Sequence, residues 1–275
     1  MGNKIQYPKP NTRKNLNTRR LLAALTLGIG TGLLIVFTNF QSIAVLTNTS
    51  EHNPDLKKSL STSLPFPKPH PLPPKLLHWQ DSTNSGDYFS QIATTKVGYL
   101  VWSQFPIRVY VETPQAVNSK QIQAWINSVL QAVQEWNVYL PLIIVKQPEV
   151  ADITIVRKAP PLQTFPDSKI TRARSAQTTY ELYTNSSKIL SHRFTILLSP
   201  SQTGVYLQAA ARHELGHALG IWGHSPLQTD ALYFSQVRNS PPISSRDVNT
   251  LKRVYQQPTS LGWSLNLRDS LKSQV

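Results

Sequence analysis

The stretch RHELGHALGIWGHS, Arg212 to Ser225, holds three of the chain's seven histidines, with a glutamate beside the first. His213 and His217 are four residues apart. On a helix that spacing puts both rings on one face, with β-carbons about 6 Å apart, so two imidazoles can approach one metal ion. Imidazole donors so spaced suit zinc, at about 2.0–2.1 Å per nitrogen. Glu214 follows the first ring. A carboxylate there can take a proton from water held by the metal without itself being a ligand. Gly220 can end the helix in a left-handed turn, and the chain can then return with His224 as a third nitrogen. Three protein ligands leave a fourth position for water, the arrangement of a catalytic rather than a structural zinc. The competing reading is a solvated helix with incidental histidines. The helix start, the glycine break and the third histidine together weigh against it.

Several elements must position these residues. Leu207, Ala211, Leu215 and Ala218 recur at helical spacing on another side of the histidine helix, so it has a core face without using the histidines. Upstream, IRVYVE (107–112) alternates like a half-buried strand. A long amphipathic helix follows, with Ile122, Trp125, Ile126, Val129, Leu130, Val133 and Trp136 on one face and Asn118 or Ser119 as its cap. LIIVK (142–146) and ADITIVRK (151–158) read as strands, and TTYELY (178–183) with RFTILLS (193–199) as a strand pair. In SSRDVNTLKRVY, Ser244 and Asp247 form a capping-box pattern ahead of a last helix lined by Val248, Leu251 and Val254. This order of elements predicts a mixed α/β domain of α+β type over residues 85–258.

Around that domain the composition changes. The chain has 275 residues, a net charge of +14 and no cysteine. Without cysteine there are no disulfides and no thiolate ligands, so a metal must be held by His, Asp or Glu. Residues 1–20 are basic and lack acids, with Lys4, Lys9, Arg13, Lys14, Arg19 and Arg20. Residues 21–40, LLAALTLGIGTGLLIVFTNF, carry no charge and read as a retained transmembrane anchor or a signal peptide cut near Ser42–Ala44. Either way the basic start holds the N-terminus inside, placing the domain outside the cytoplasm, membrane-anchored or secreted. Residues 41–84, with LPFPKPHPLPPK at 64–75, read as a proline-rich spacer, and 259–275 as a tail. Other basic residues are scattered, apart from small groups such as Lys169, Arg172 and Arg174, and no nucleic-acid-binding motif accompanies them. The basic surface therefore points to anionic partners or lipid headgroups rather than nucleic acid. Asn48 and Asn185 stand in glycosylation sequons.

HELGHALGIWGHS resembles the zinc-binding stretch of the metzincin metallopeptidases, specifically the matrixins, whose pattern is H-E-x-x-H-x-x-G-x-x-H. TDALYFS resembles the turn beneath their zinc, and ISSRDVNTLKRVY their closing helix. The tryptophan-ended helix followed by ADITI fits the same plan, so the likeness runs over roughly 95–257. It implies a metzincin-like fold: a twisted mixed sheet, a long helix, an active-site helix and a C-terminal helix. It further implies one catalytic zinc on His213, His217 and His224, with Glu214 as general base in peptide-bond hydrolysis. A protein or peptide substrate would lie extended on RFTILLS as an edge strand.

The chain departs from that pattern in four ways. Gly223 stands where the third ligand is expected, and His224 follows it, with the glycine's flexibility expected to absorb the extra residue. Leu232 replaces the methionine beneath the zinc, a swap of similar volume. No cysteine is present to cap the zinc in a latent form. No histidine and aspartate cluster matches the family's structural metal sites, and the lone His192 reads as structural or solvent-exposed rather than as a ligand. Arg212 is expected either to pair with a carboxylate or to be solvated, and Tyr233 either to line the cleft or, the favoured reading, to pack beneath it. The competing function is a non-catalytic zinc- or peptide-binding module on the same fold. Such a module has little need of Glu214.

Overall fold

A computed structural model describes residues 64–115, 118–165 and 168–265. The basic start, the apolar run at 21–40, Asn48 and most of the expected tail lie outside these residues. Among the described residues no helix is long and apolar enough to cross a membrane.

The domain is mixed α/β. Five strands, β1 (Ile107–Val111), β2 (Leu142–Val145), β3 (Ile153–Arg157), β6 (Ala176–Thr184) and β7 (Leu190–Leu198), form one sheet. Their order in it is β2-β1-β3-β7-β6. β1 pairs in parallel with β2 and β3, and β3 in parallel with β7, whereas β6 joins β7 antiparallel. A parallel pair needs a crossover, and the helix α2 (Ser119–Asn137) supplies it between β1 and β2. Asn118 caps α2 by accepting from the Gln121 amide at 2.9 Å. The face bearing Trp125, Val129, Val133 and Trp136 is buried, as the periodicity implies, whereas Leu130 is only partly covered.

The strands emerge close to their expected places, but one role changes. β7 is bonded on both sides and is interior; the sheet's edge on that flank is β6. RFTILLS therefore has no free edge to offer an extended peptide. Its burial alternates, with Leu190, His192, Phe194, Ile196 and Leu198 inward, and alternation alone does not tell an interior antiparallel partner from an edge. A short hairpin of β4 (Gln163–Phe165) and β5 (Ser168–Arg172), without a period to announce it, precedes β6.

Two further helices build the site. α3 (Gly204–Ala218) packs between α2 and the strands β6 and β7. Leu207, Ala211, Leu215 and Ala218 are buried, and so are Arg212, Glu214 and His217, so α3 runs through the interior after an exposed first turn bearing Val205 and Tyr206. α4 (Ser245–Tyr255) begins in a complete capping box of Ser244 and Asp247 and buries Val248, Leu251 and Val254.

The proline-rich segment is not a free spacer from residue 64 onward. Prolines cannot form a ladder among themselves, but the carbonyls and side chains between them can. Lys68 exchanges two backbone hydrogen bonds with Thr259, and the Pro65 carbonyl accepts from Ser260 Oγ at 2.5 Å. His70 stacks on Trp263. The short helix α1 (Pro74–His78) buries Leu76 completely. Trp79 Nε1 then donates to Asn249 Oδ1 on α4 at 2.8 Å. Residues 64–84 and 259–264 thus pack as parts of the domain.

Candidate metal centre

His213, His217 and His224 come together, with one ligand atom from each lying within 4.8 Å of the others. Their ring centroids are 4.7, 4.8 and 5.2 Å apart. The backbone holds two of the rings. His213 Nδ1 meets the Ala231 carbonyl at 2.9 Å, and His217 Nδ1 meets the Ile221 carbonyl at 2.7 Å. A carbonyl oxygen only accepts, so each Nδ1 carries the proton, and each neutral ring turns an Nε2 lone pair inward. These two Nε2 atoms are 3.1 Å apart. Two lone pairs at that distance repel unless a cation lies between them. Nitrogens at about 2.0–2.1 Å from one tetrahedral ion are separated by about 3.3 Å, so the donor set fits a metal ion of zinc's size. Burial lowers the affinity of His213 and His217 for protons, to pKa values of about 4 and 3, with the carbonyl bonds opposing the shift. His224 is likewise held well below the ordinary range, first by burial and then by the two neighbouring rings. The neutral ring is the form that ligates.

The turn after α3 makes this arrangement. Gly220 has φ of +126°, and a β-carbon there would lie 2.8 Å from the Leu100 carbonyl oxygen. The reversal puts the Ile221 amide on the Gly216 carbonyl and the Ile221 carbonyl on His217. Gly223 serves differently from the expectation. Its φ is not positive, and a β-carbon would stand 2.2 Å from the Gln91 carbonyl oxygen, so it is glycine because the Gln91–Ile92 backbone passes against it.

Leu232, next in the chain to the Ala231 carbonyl that holds His213, is fully buried and its methyls press on Gly216. Asp247 ties this turn to α4: it accepts from the Ala231 amide at 2.8 Å and from Tyr88 Oη at 2.6 Å. Arg212 forms an ion pair with Glu135 on α2 and donates from Nη1 to the Pro241 carbonyl at 2.7 Å. His192 is buried apart from the centre, stacked on Trp102 with ring centroids 4.0 Å apart.

Glu214 is 1% exposed, and its Oε2 accepts from Thr178 Oγ1 at 2.5 Å. Thr178 stands on the edge strand β6 and also donates to the Glu214 carbonyl at 3.1 Å. Burial pushes the carboxyl up to about 7, against the opposing pull of Thr178 and Arg174. Glu214 and His213 line one cavity together with Ser175, Ala210, Tyr233 and Val237. Tyr233 therefore forms a wall of this cavity and is not simply packed beneath the site. Thr178 has no sequence signal as a partner of Glu214, since the two are 36 residues apart and meet only through the packing of α3 on β6. No protein-family model matches this chain, and no curated protein matches it.

Proposed function

We propose that this chain is a zinc-dependent endopeptidase of metzincin type, matrixin-like in its catalytic domain, and that its N-terminal segment exports it or anchors it in a membrane. The observation that carries the reading is the convergence of three neutral imidazoles beside a buried carboxylate that shares a cavity with one of them. The sheet order, with β6 antiparallel at the edge next to that cavity, is compatible with an extended peptide lying along β6.

His213, His217 and His224 would hold the metal, two of them steered by the Ala231 and Ile221 carbonyls. Zinc, when bound, supplies Lewis-acid chemistry, polarising a peptide carbonyl and acidifying water. The chain's own part is proton transfer and positioning. Thr178 fixes Oε2 of Glu214 and leaves Oε1 to take the proton of the attacking water. Glu214 then returns that proton to the amine as the carbon–nitrogen bond breaks. Burial raises the proton affinity of this carboxyl, which favours its both taking and returning a proton. Its burial keeps competing water away.

Unstructured peptides incubated with the zinc-loaded protein and read by mass spectrometry test this reading. Cleavage that a chelator abolishes supports it; no chelator-sensitive cleavage across a broad panel rejects it and leaves a metal-binding module. An epitope tag after Val275 tests the export. Protease added outside intact, wall-stripped cells should remove the tag, and a protected tag contradicts the export.

A further inference from the structure

Arg174 is half-buried, yet no carboxylate of the described residues forms an ion pair with it. The recessed arginines Arg212 and Arg246 have Glu135 and Asp230. Arg174 has only the oxygen of Gln163, which accepts from its Nε at 3.2 Å. Gln163 is 7% exposed, and its Nε2 has no partner. Flipping that amide would set a donor against a donor, so the guanidinium itself fixes the orientation. A guanidinium partly withdrawn from water without an anion beside it carries a cost. Burial lowers its proton affinity, and the one carboxylate that acts on it from a distance is Glu214, which Thr178 already holds.

The position of this cation gives its charge a use. Arg174 immediately precedes Ser175, a wall of the cavity that Glu214 and His213 line. It stands two residues ahead of β6, the edge strand that carries Thr178. A peptide extended along β6 runs past it. Guanidinium groups bind carboxylates through paired, charge-assisted hydrogen bonds, and among the described residues Arg174 uses only Nε, leaving both terminal nitrogens without a hydrogen bond.

We propose that Arg174 is a substrate-recognition residue that binds a carboxylate of the peptide within a few residues of the scissile bond, so that the centre selects acidic peptides. The carboxylate is an Asp or Glu side chain or the peptide's C-terminus. This inference rests on the peptide-processing reading above.

The test uses the full-length, zinc-loaded protein and matched peptides carrying Glu or Gln at each position around the cut, ending in a free acid or an amide. One charge-assisted contact predicts a ratio of kcat/KM for acid over amide of about 10- to 100-fold at one position or at the C-terminus. The two peptide sets tell which source of carboxylate is read. In Arg174→Gln the ratio falls toward one, and in Arg174→Glu the preference passes to a Lys peptide. A wild-type ratio near one throughout, or a ratio that survives in Arg174→Gln, overturns the proposal while leaving the peptidase reading intact. A second arm does not depend on cleavage. In Glu214→Ala, peptide affinity read by fluorescence anisotropy should show the same acid preference, which Arg174→Gln should erase. Acid-selective binding without any cleavage by the wild type would reject the peptidase and retain the Arg174 site. Equal binding of acid and amide peptides in that arm rejects the Arg174 site.

Discussion

His192 lies between Trp102 and Phe194, with its Nε2 buried and unpaired. Burial lowers its pKa from 6.5 to about 3. Above pH 6.5 neither the folded nor the unfolded chain protonates it, and its contribution to stability is fully present. As pH falls from 6.5 toward 3, the unfolded chain takes up a proton that the folded chain refuses, so stability is lost. His192→Phe should therefore make urea-unfolding free energy less steep in pH between about 4 and 6, by up to about 1.4 kcal/mol per pH unit. His213, His217 and His224 keep part of the slope, because burial depresses them too. An unaltered slope in the variant would place the acid sensitivity elsewhere. At this scale the sequence announces donors and hides their supports. The three histidines and Glu214 are legible because helical spacing and one glycine bring them together locally. Thr178, the Ala231 and Ile221 carbonyls and Glu135 are not, because each reaches the centre through a fold contact or through backbone atoms that every residue has.

The turn closing α3 acts as one element with the metal site. Gly220 is left-handed and its open side abuts the Leu100 carbonyl, which as backbone cannot swing aside. Ala at this position adds strain of about 1–3 kcal/mol and a steric clash. It should also displace Ile221, whose carbonyl orients His217. Gly220→Ala is thus expected to weaken zinc binding about 10- to 100-fold, as loss of an orienting partner does, while Glu214 and all three histidines remain. Competition with a chromogenic chelator measures this; wild-type affinity in a folded variant contradicts it. The capping box at Ser244 and Asp247 and the cap at Asn118 were readable because they are contained in four consecutive residues. The exchange of roles between β6 and β7 was not. Both strands have plausible alternation, and only their pairing with β3 decides which is interior.

Over the whole molecule, the segment from residue 64 belongs to the fold although its prolines suggest a spacer. It contributes the fully buried Leu76 and closes on Thr259, Ser260 and Leu261 from the far end of the domain. A chain starting at residue 85 should lose at least about 3 kcal/mol in urea unfolding relative to one starting at 64, because it loses a core leucine together with those hydrogen bonds. Equal midpoints would restore the spacer reading. The contrast between composition and packing has a physical cause. Proline density excludes helix and ladder within the segment, but the partners of its carbonyls lie nearly 200 residues away, for example Pro65 with Ser260. The class of the domain and the order of its main elements were legible, since hydrophobic period carries them; the closure of its two ends was not. The measurement that tests the account most directly sets zinc content beside peptide hydrolysis in the wild type and in Glu214→Ala. The account predicts about one zinc per chain in both, and hydrolysis in the variant reduced by at least about 10²–10⁴-fold. Equal hydrolysis in the two proteins, or loss of the metal along with Glu214, would contradict it.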